Sequence, residues 1–188
     1  MMTQREALEA LVAVRGERVV VTTMTSGGIW PTISDSPLDF AYLPSSMGQG
    51  ISLGLGIALA QPRNGVIAIM GDGSLLMNLG AIVTVASHPA PLYVLLLDNG
   101  LFEVTGGQPT AGAGRIDFAG MAKAAGIPRV YTFDNLAEWR KNAKETIEGP
   151  GPVFVWLKVE ARLGQKTPAP PRPMSEQIER LRSGLNIV

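Results

Sequence analysis

Two polar residues stand where chemistry could begin. Asp72 follows the apolar run "VIAIM" and sits between glycines in "MGDGS"; Asn99 follows the run "LYVLLLD". Short apolar runs bounded by turn residues read as buried strands, so both polar groups fall at strand ends. They lie 27 positions apart, room for the one crossover helix that sets two parallel strands side by side. A carboxylate, an amide oxygen and a nearby backbone carbonyl make a hard-oxygen site suited to Mg²⁺ or Ca²⁺. Gly73 and Ser74 then open the next helix, whose free N–H groups suit a diphosphate. Taken singly, Gly-Asp-Gly is a common turn and Asp at a helix start is ordinarily a cap. The pair carries the metal reading.

Elements that could position this pair recur along the chain. Helical spacing predicts helices over 3–14, 47–60, 74–87 (with Ser74 as N-cap), 116–126 and 135–149. Apolar runs predict strands over 18–24, 64–70, 91–99, 129–133 and 151–159. Residues 25–37 and 100–114 read as loops from their Gly, Pro, Ser and Thr content. Strands alternate with helices, so the expected fold is α/β, three layers (α/β/α) around a mainly parallel sheet. Ligands of such sheets bind at the carboxyl ends of the strands. The expected organisation is one domain over 1–160. A Pro-rich arm ("KTPAPPRPM") and short helix over 161–188 follow, free to dock on a neighbouring subunit.

Composition excludes several classes. The 188 residues carry 16 Lys plus Arg against 16 Asp plus Glu, so nothing argues for nucleic acid or an anionic membrane. There is no Cys, which removes disulfides, zinc-thiolate sites and a thiol nucleophile, and fits the cytoplasm. No signal peptide is visible in the polar start "MMTQREALEA", and no run reaches membrane-spanning length.

The stretch "GDGSLLMNLGAIVTVASHPAPLYVLLLDNG" resembles the Gly-Asp-Gly…Asn signature of thiamine diphosphate-dependent enzymes, and the resemblance runs from about Ser45 to Val159. It implies that Asp72 and Asn99 give side-chain ligands to Mg²⁺ and that Leu101 gives its backbone carbonyl. Gly71, Gly73 and Ser74 would lie along the diphosphate, with Phe102 also at the cofactor. "LPSSMGQGISLGLGIALA" resembles the segment ahead of that signature. There Met47 would prop the cofactor into its bent shape, the Ser45 carbonyl would accept from the aminopyrimidine, and Ser46 and Gly48 would flank them. The competing reading takes Gly48, Gly50 and Gly54 as a dinucleotide fingerprint with Asp72 as its acidic residue, a nicotinamide-dependent enzyme. That reading gives the Asn99 loop no task.

Enzymes of this family use a second domain, the pyrimidine domain, whose glutamate activates the cofactor. A chain this long accounts for the diphosphate half alone. The resemblance therefore implies a separate pyrimidine-domain (alpha) subunit, in a hetero-oligomer of α₂β₂ type or larger. The loop "DNGLFEVTGGQPT" resembles that of sulfopyruvate and phosphonopyruvate decarboxylases, which implies loss of CO₂ from a small 2-oxo acid. "TTMTSG" is similar to a strand-end loop of the same enzymes. Acetolactate synthase-like carboligases share the metal signature and remain the alternative within the cofactor class. Ferredoxin-linked 2-oxo acid oxidoreductases normally bring cysteine clusters, absent here. A non-catalytic relic of the fold is argued against by the intact Asp72/Asn99 pair.

Glu103 is the candidate acid/base on the cofactor loop; its plain alternative is a solvated loop carboxylate. Thr105, Gln108 and Thr110 are candidates to meet a substrate anion, and Gly106 and Gly107 could hinge the loop. Arg115 could face an anionic substrate or form an ordinary salt bridge. His88, the one histidine, falls between a helix and the next strand, at the amino ends of the strands and away from the cofactor. Trp30, Trp139 and Trp156 read as core or subunit-interface aromatics.

Overall fold

The computed structural model describes residues 1–44 and 46–187. Six strands form one parallel sheet: β1 (Val19–Thr23), β2 (Asp39–Tyr42), β3 (Val66–Gly71), β4 (Leu92–Asp98), β7 (Arg129–Phe133) and β8 (Val153–Lys158), in the order β2-β1-β3-β4-β8-β7. Both faces of the sheet are covered, which explains strands that are apolar throughout rather than alternating. Side chains alternate across the sheet. Val66, Ala68 and Met70 of β3 face one core; Ile67 and Ile69 face the other.

The first core is roofed by α3 (Gly50–Ala60), α4 (Asp72–Leu76), α5 (Ala81–Ser87) and α6 (Phe118–Ala124). The second is roofed by α1 (Gln4–Val12), α2 (Met24–Ile29) and α7 (Leu136–Glu148), with Trp30 and Trp139 fully buried in it. This is the expected three-layer arrangement. α3 is glycine-rich because it lies close on the sheet: a Cβ on Gly54 would stand 3.1 Å from both Ala68 Cβ and Leu92 Cδ1. Among the described residues no helix is long and apolar enough to cross a membrane.

Several expectations need correction. Residues 25–37 hold α2, a 3₁₀ turn over Trp30–Thr32 and no long loop; the edge strand β2 follows. α2 forms despite its glycine pair because Ser26 turns it: Ser26 Oγ donates to Thr23 O (2.7 Å) and accepts from Thr23 N (3.2 Å). The helix expected over 74–87 is two helices, α4 and α5, broken at residues 77–80. There the Asn78 side chain donates to Gly48 O (2.8 Å). Gly71, not Ser74, is the N-cap residue of α4. The helix predicted to begin at residue 116 begins at Phe118, capped by the Asp117 carboxylate, which accepts from Gly120 N. The loop 100–114 contains a small antiparallel pair, β5 (Leu101–Phe102) and β6 (Gln108–Pro109).

The Pro-rich arm is seated on its own chain. From the end of β8 it passes Glu103, where Arg162 N donates to the carboxylate, and then Gly28 of α2, against which Pro168 packs. It ends in α8 (Met174–Gly184), beside β2. There Gln177, 3% exposed, accepts from Ala41 N of the edge strand (2.9 Å), and Arg172 and Arg180 both reach Asp35. The arm thus covers a sheet edge that would otherwise present unpaired backbone groups.

Candidate cofactor and metal site

β1 leads to β2 on one side of the sheet and β3 leads to β4 on the other. The chain therefore diverges between β1 and β3, and a cleft opens at their carboxyl ends, where open α/β sheets bind ligands. Thr23 and Met24 from β1, Gly71 to Ser74 from β3, and Asn99 and Leu101 to Thr105 from the β4 loop line it, with Met47 and Gln4 at its walls. Residues expected at a cofactor site from the sequence, Met47, Gly71, Asp72, Gly73, Ser74, Asn99, Leu101, Phe102 and Glu103, are brought together here.

Asp72 is the first residue of α4 and is 1% exposed. β3 and β4 are paired in register up to Gly71 beside Leu97, which puts Asp72 opposite Asp98 and one position from Asn99, whose backbone N–H donates to the Asp72 carboxylate. Burial pushes the Asp72 carboxyl above its ordinary value of 3.8, and the nearby Asp98 carboxylate adds to the rise. Hydrogen bonds from the Thr110 hydroxyl (2.7 Å, to Oδ2) and from the backbone N–H groups of Asn99 and Asp72 itself oppose it. Among the described residues no Lys or Arg is ion-paired with Asp72. A buried carboxylate without a protein cation fits a bound one.

The Asn99 side-chain oxygen accepts from Leu101 N (2.9 Å), which folds the chain back so that the Leu101 segment lines the cleft. Asp98 is held off to the other side, accepting from Trp156 Nε1 (2.8 Å) and Gly100 N (3.2 Å). No three His, Asp or Glu side chains converge among the described residues. The donor set is one carboxylate, one amide and backbone oxygens, which suits Mg²⁺ sharing its shell with ligand phosphates.

Gly73 is required by packing: a Cβ there would stand 2.5 Å from the Phe102 ring. Ser74 Oγ accepts from Gly48 N (2.9 Å), so the turn carrying Met47 is tied to the start of α4. Ser46 is buried and its hydroxyl donates to Tyr42 O. Ser45 lies outside the described residues.

Glu103 is 4% exposed, not solvated. Its Oε2 accepts from Gln4 Nε2 (2.9 Å) and Thr25 Oγ1 (3.0 Å), and its Oε1 from Arg162 N (2.7 Å). Thr105 is exposed at the cleft, Gln108 is exposed outside its lining, and Thr110 is buried under Asp72. Arg115 is exposed. His88 is exposed at the C-terminus of α5, before β4 and so at the amino ends of the strands, as expected. Trp156 stacks edge-on against Phe118.

Gln4 is a cleft residue not singled out from the sequence, and Thr23, Met24, Thr25 and Ser26 were read there only as part of the strand-end loop "TTMTSG". Met24 has a positive φ of 48°, a conformation that a non-glycine residue seldom adopts. It marks the sharp strand-to-helix turn of "TTMTSG". Gln4 gave only a weak signal, a polar side chain on the helix face that turns out to be buried.

Fold and cleft together define an α/β domain with a polar cleft at the carboxyl ends of its parallel strands. The profile of the family described as thiamine pyrophosphate enzyme, C-terminal TPP binding domain, matches residues 31–157, and the chain belongs to this family. It is 38% identical over 164 residues to a protein named sulfopyruvate decarboxylase subunit beta from Methanothermobacter thermautotrophicus, covering 85% of this chain and 84% of that one. It is 37% identical over 160 residues to the phosphonopyruvate decarboxylase of Streptomyces viridochromogenes, of which it spans only 40%. A solved structure from Mycobacterium smegmatis, assigned as a thiamin diphosphate-dependent enzyme, superposes with a TM-score of 0.71 at 25% identity, over 85% of this chain and 32% of that one. Family membership replaces the nicotinamide reading of the 48–54 glycines. In the fold these glycines do not follow a strand directly: residues 43–49 intervene between β2 and α3.

Proposed function

We propose that the chain is the thiamine diphosphate- and Mg²⁺-binding subunit of a 2-oxo acid decarboxylase whose substrate resembles sulfopyruvate or phosphonopyruvate. The observation that carries the reading is the pair Asp72 and Asn99, set side by side at the ends of β3 and β4 within the region matched to the family. In this reading Asp72, Asn99 and the Leu101 carbonyl hold the cation, Gly73 and Ser74 meet the diphosphate, and Met47 supports the cofactor from the α3 side. Bound thiamine diphosphate supplies a carbon nucleophile and an electron sink for the departing carboxylate. The protein contributes orientation of the cofactor and substrate.

A partner belongs to the proposal. The chain matches a beta subunit over nearly its whole length, yet spans two fifths of a relative that works under one name as a longer chain. A separate pyrimidine-domain subunit would supply the activating glutamate, in a complex of α₂β₂ type or larger. The cysteine-free composition fits a cytoplasmic setting.

Co-expression with a pyrimidine-domain subunit, followed by CO₂ release assays on sulfopyruvate, phosphonopyruvate and pyruvate, tests this. The expected outcome is metal-dependent CO₂ release that needs both subunits and prefers an acid with a distal sulfonate or phosphonate. Acetolactate formed from pyruvate as the main product would overturn the decarboxylase reading in favour of carboligation. Turnover by this chain alone would overturn the partner.

A further inference from the structure

We propose that Thr110 is the positioning residue that locks the two halves of the metal cradle to each other; this rests on the reading of Asp72 and Asn99 as metal ligands. Those two residues come from different strands, and nothing in the covalent chain fixes their separation. Thr110 bonds to both sides. Its hydroxyl donates to Asp72 Oδ2 at 2.7 Å, and its backbone N–H donates to Gly100 O at 2.9 Å. Gly100 is the residue between Asn99 and Leu101, the other two proposed ligands.

The chemistry of threonine fits this task in three ways. A hydroxyl has one proton to give, and it goes to a single carboxylate oxygen, which leaves lone pairs on the other for a cation. The β-branch stiffens χ1. The methyl group is lodged against α4, with Thr110 Cγ2 3.2 Å from where a Cβ on Gly73 would stand. The side chain is 4% exposed, so water does not compete for the hydroxyl. Hydrogen bonds that orient a metal ligand typically carry 10–100-fold in metal affinity.

A residue that merely packed the loop would depend on its shape, whereas a positioning residue depends on its donor. Thr110→Val keeps the β-branched shape, the methyl and the backbone N–H, and replaces the hydroxyl donor by a second methyl. Thr110→Ser keeps the donor and loses the methyl. Thr110→Cys offers a weaker donor. The measurement is the dissociation constant of Mn²⁺, read from the free-ion electron paramagnetic resonance signal. It uses the full chain co-expressed with its partner subunit, at saturating thiamine diphosphate, with Asp72→Ala as reference. The expected order of affinity is Thr110 and Ser alike within a few-fold, then Cys, then Val, with Val about 10–100-fold weaker.

Val equal to the parent, or Ser weaker than Val, overturns the proposal while leaving the ligand reading intact. If Thr110→Val does not fold, the Ser-to-Cys step decides: equal affinities overturn the proposal, and a loss at Cys supports it. If the parent protein binds Mn²⁺ no better than Asp72→Ala, the ligand reading falls and the proposal falls with it.

Discussion

Two carboxylates share one cleft and are treated oppositely. Asp72 is 1% exposed and Glu103 is 4% exposed. Among the described residues the one side-chain donor to Asp72 is the neutral Thr110 hydroxyl, and Asp72 has a second carboxylate, Asp98, close enough to raise its pKa. Glu103 has both oxygens engaged by donors from three distant segments: Gln4 of α1, Thr25 of α2 and the backbone of Arg162 in the arm. Burying a charge is costly unless it is compensated. At Glu103 the compensation is internal, and we infer that its task is to clasp α1, α2, the cofactor loop and the arm into one wall. At Asp72 the Thr110 hydroxyl and the backbone N–H groups of Asn99 and Asp72 offset the burial only in part, and in the proposed reading a bound cation would supply the rest. Both are buried carboxylates; what separates them is the origin of their donors, which come from three distant segments at Glu103 and from Thr110 and the local backbone N–H groups of Asn99 and Asp72 itself at Asp72.

The largest effect that this contrast predicts is on metal binding. Asp72→Ala is expected to cost Mg²⁺ or Mn²⁺ affinity at least about 10³-fold, roughly 4 kcal/mol, beyond what a supporting residue contributes. Glu103→Gln in the same assay is expected to stay within a few-fold of the parent. Equal losses at the two sites would erase the distinction between them. Next comes stability without cofactor. Glu103→Gln turns one acceptor into a donor, so an N–H faces either Arg162 N–H or the Gln4 and Thr25 donors. Buried hydrogen bonds to a charge are worth about 1.5–3 kcal/mol each. The variant should lose about 3 kcal/mol, a fall in Tm of about 6–12 °C in a chain of this size. A fall below about 2 °C in calorimetry would show that the clasp carries no load.

The contrast also explains what could be read from the sequence. Asp72 and Asn99 were visible because each ends an apolar run, and the spacing of two parallel strands joined by one helix is a local property of the chain. The burial of Glu103 was not visible. Its immediate neighbours, Val, Thr and Gly, read as a solvated loop, and its partners lie 99, 78 and 59 residues away. The same holds for α2 and β2, six and four residues long: glycines disfavour the first, and only packing against the sheet and α8 explains either. The break between α4 and α5 escaped because apolar periodicity runs straight through "LLMNLGAIV". What stops the helix is an Asn78 hydrogen bond to a turn 30 residues earlier. Chemistry at strand ends was local; the shell that holds it is tertiary.

The smallest predicted effect is the most discriminating, because it reverses sign with conditions. Asp72→Asn keeps size and an acceptor for Thr110 while removing the charge. In the folded, metal-free chain the Asp72 pKa stands above its ordinary 3.8. Between the unfolded and folded values the native state therefore binds more protons than the unfolded one, and stability falls as pH rises through that window. Above the folded value the full penalty of a buried, under-compensated charge is present. Asn carries no such penalty at any pH. Metal-free Asp72→Asn should thus melt about 2–4 °C above the parent at pH 7.5, the shift that about 1 kcal/mol produces in a chain of this length. The gap should close as pH falls and the parent's carboxyl takes up its proton. Saturating Mg²⁺ and thiamine diphosphate should invert the order, since a ligand at 100 times its Kd stabilises the parent alone by about 2.7 kcal/mol. Thermal melts at pH 7.5 and 4.5, with and without ligands, measure all three arms. A variant less stable than the parent without metal at pH 7.5 would mean that Asp72 is compensated within the chain after all, and that the two carboxylates do the same job.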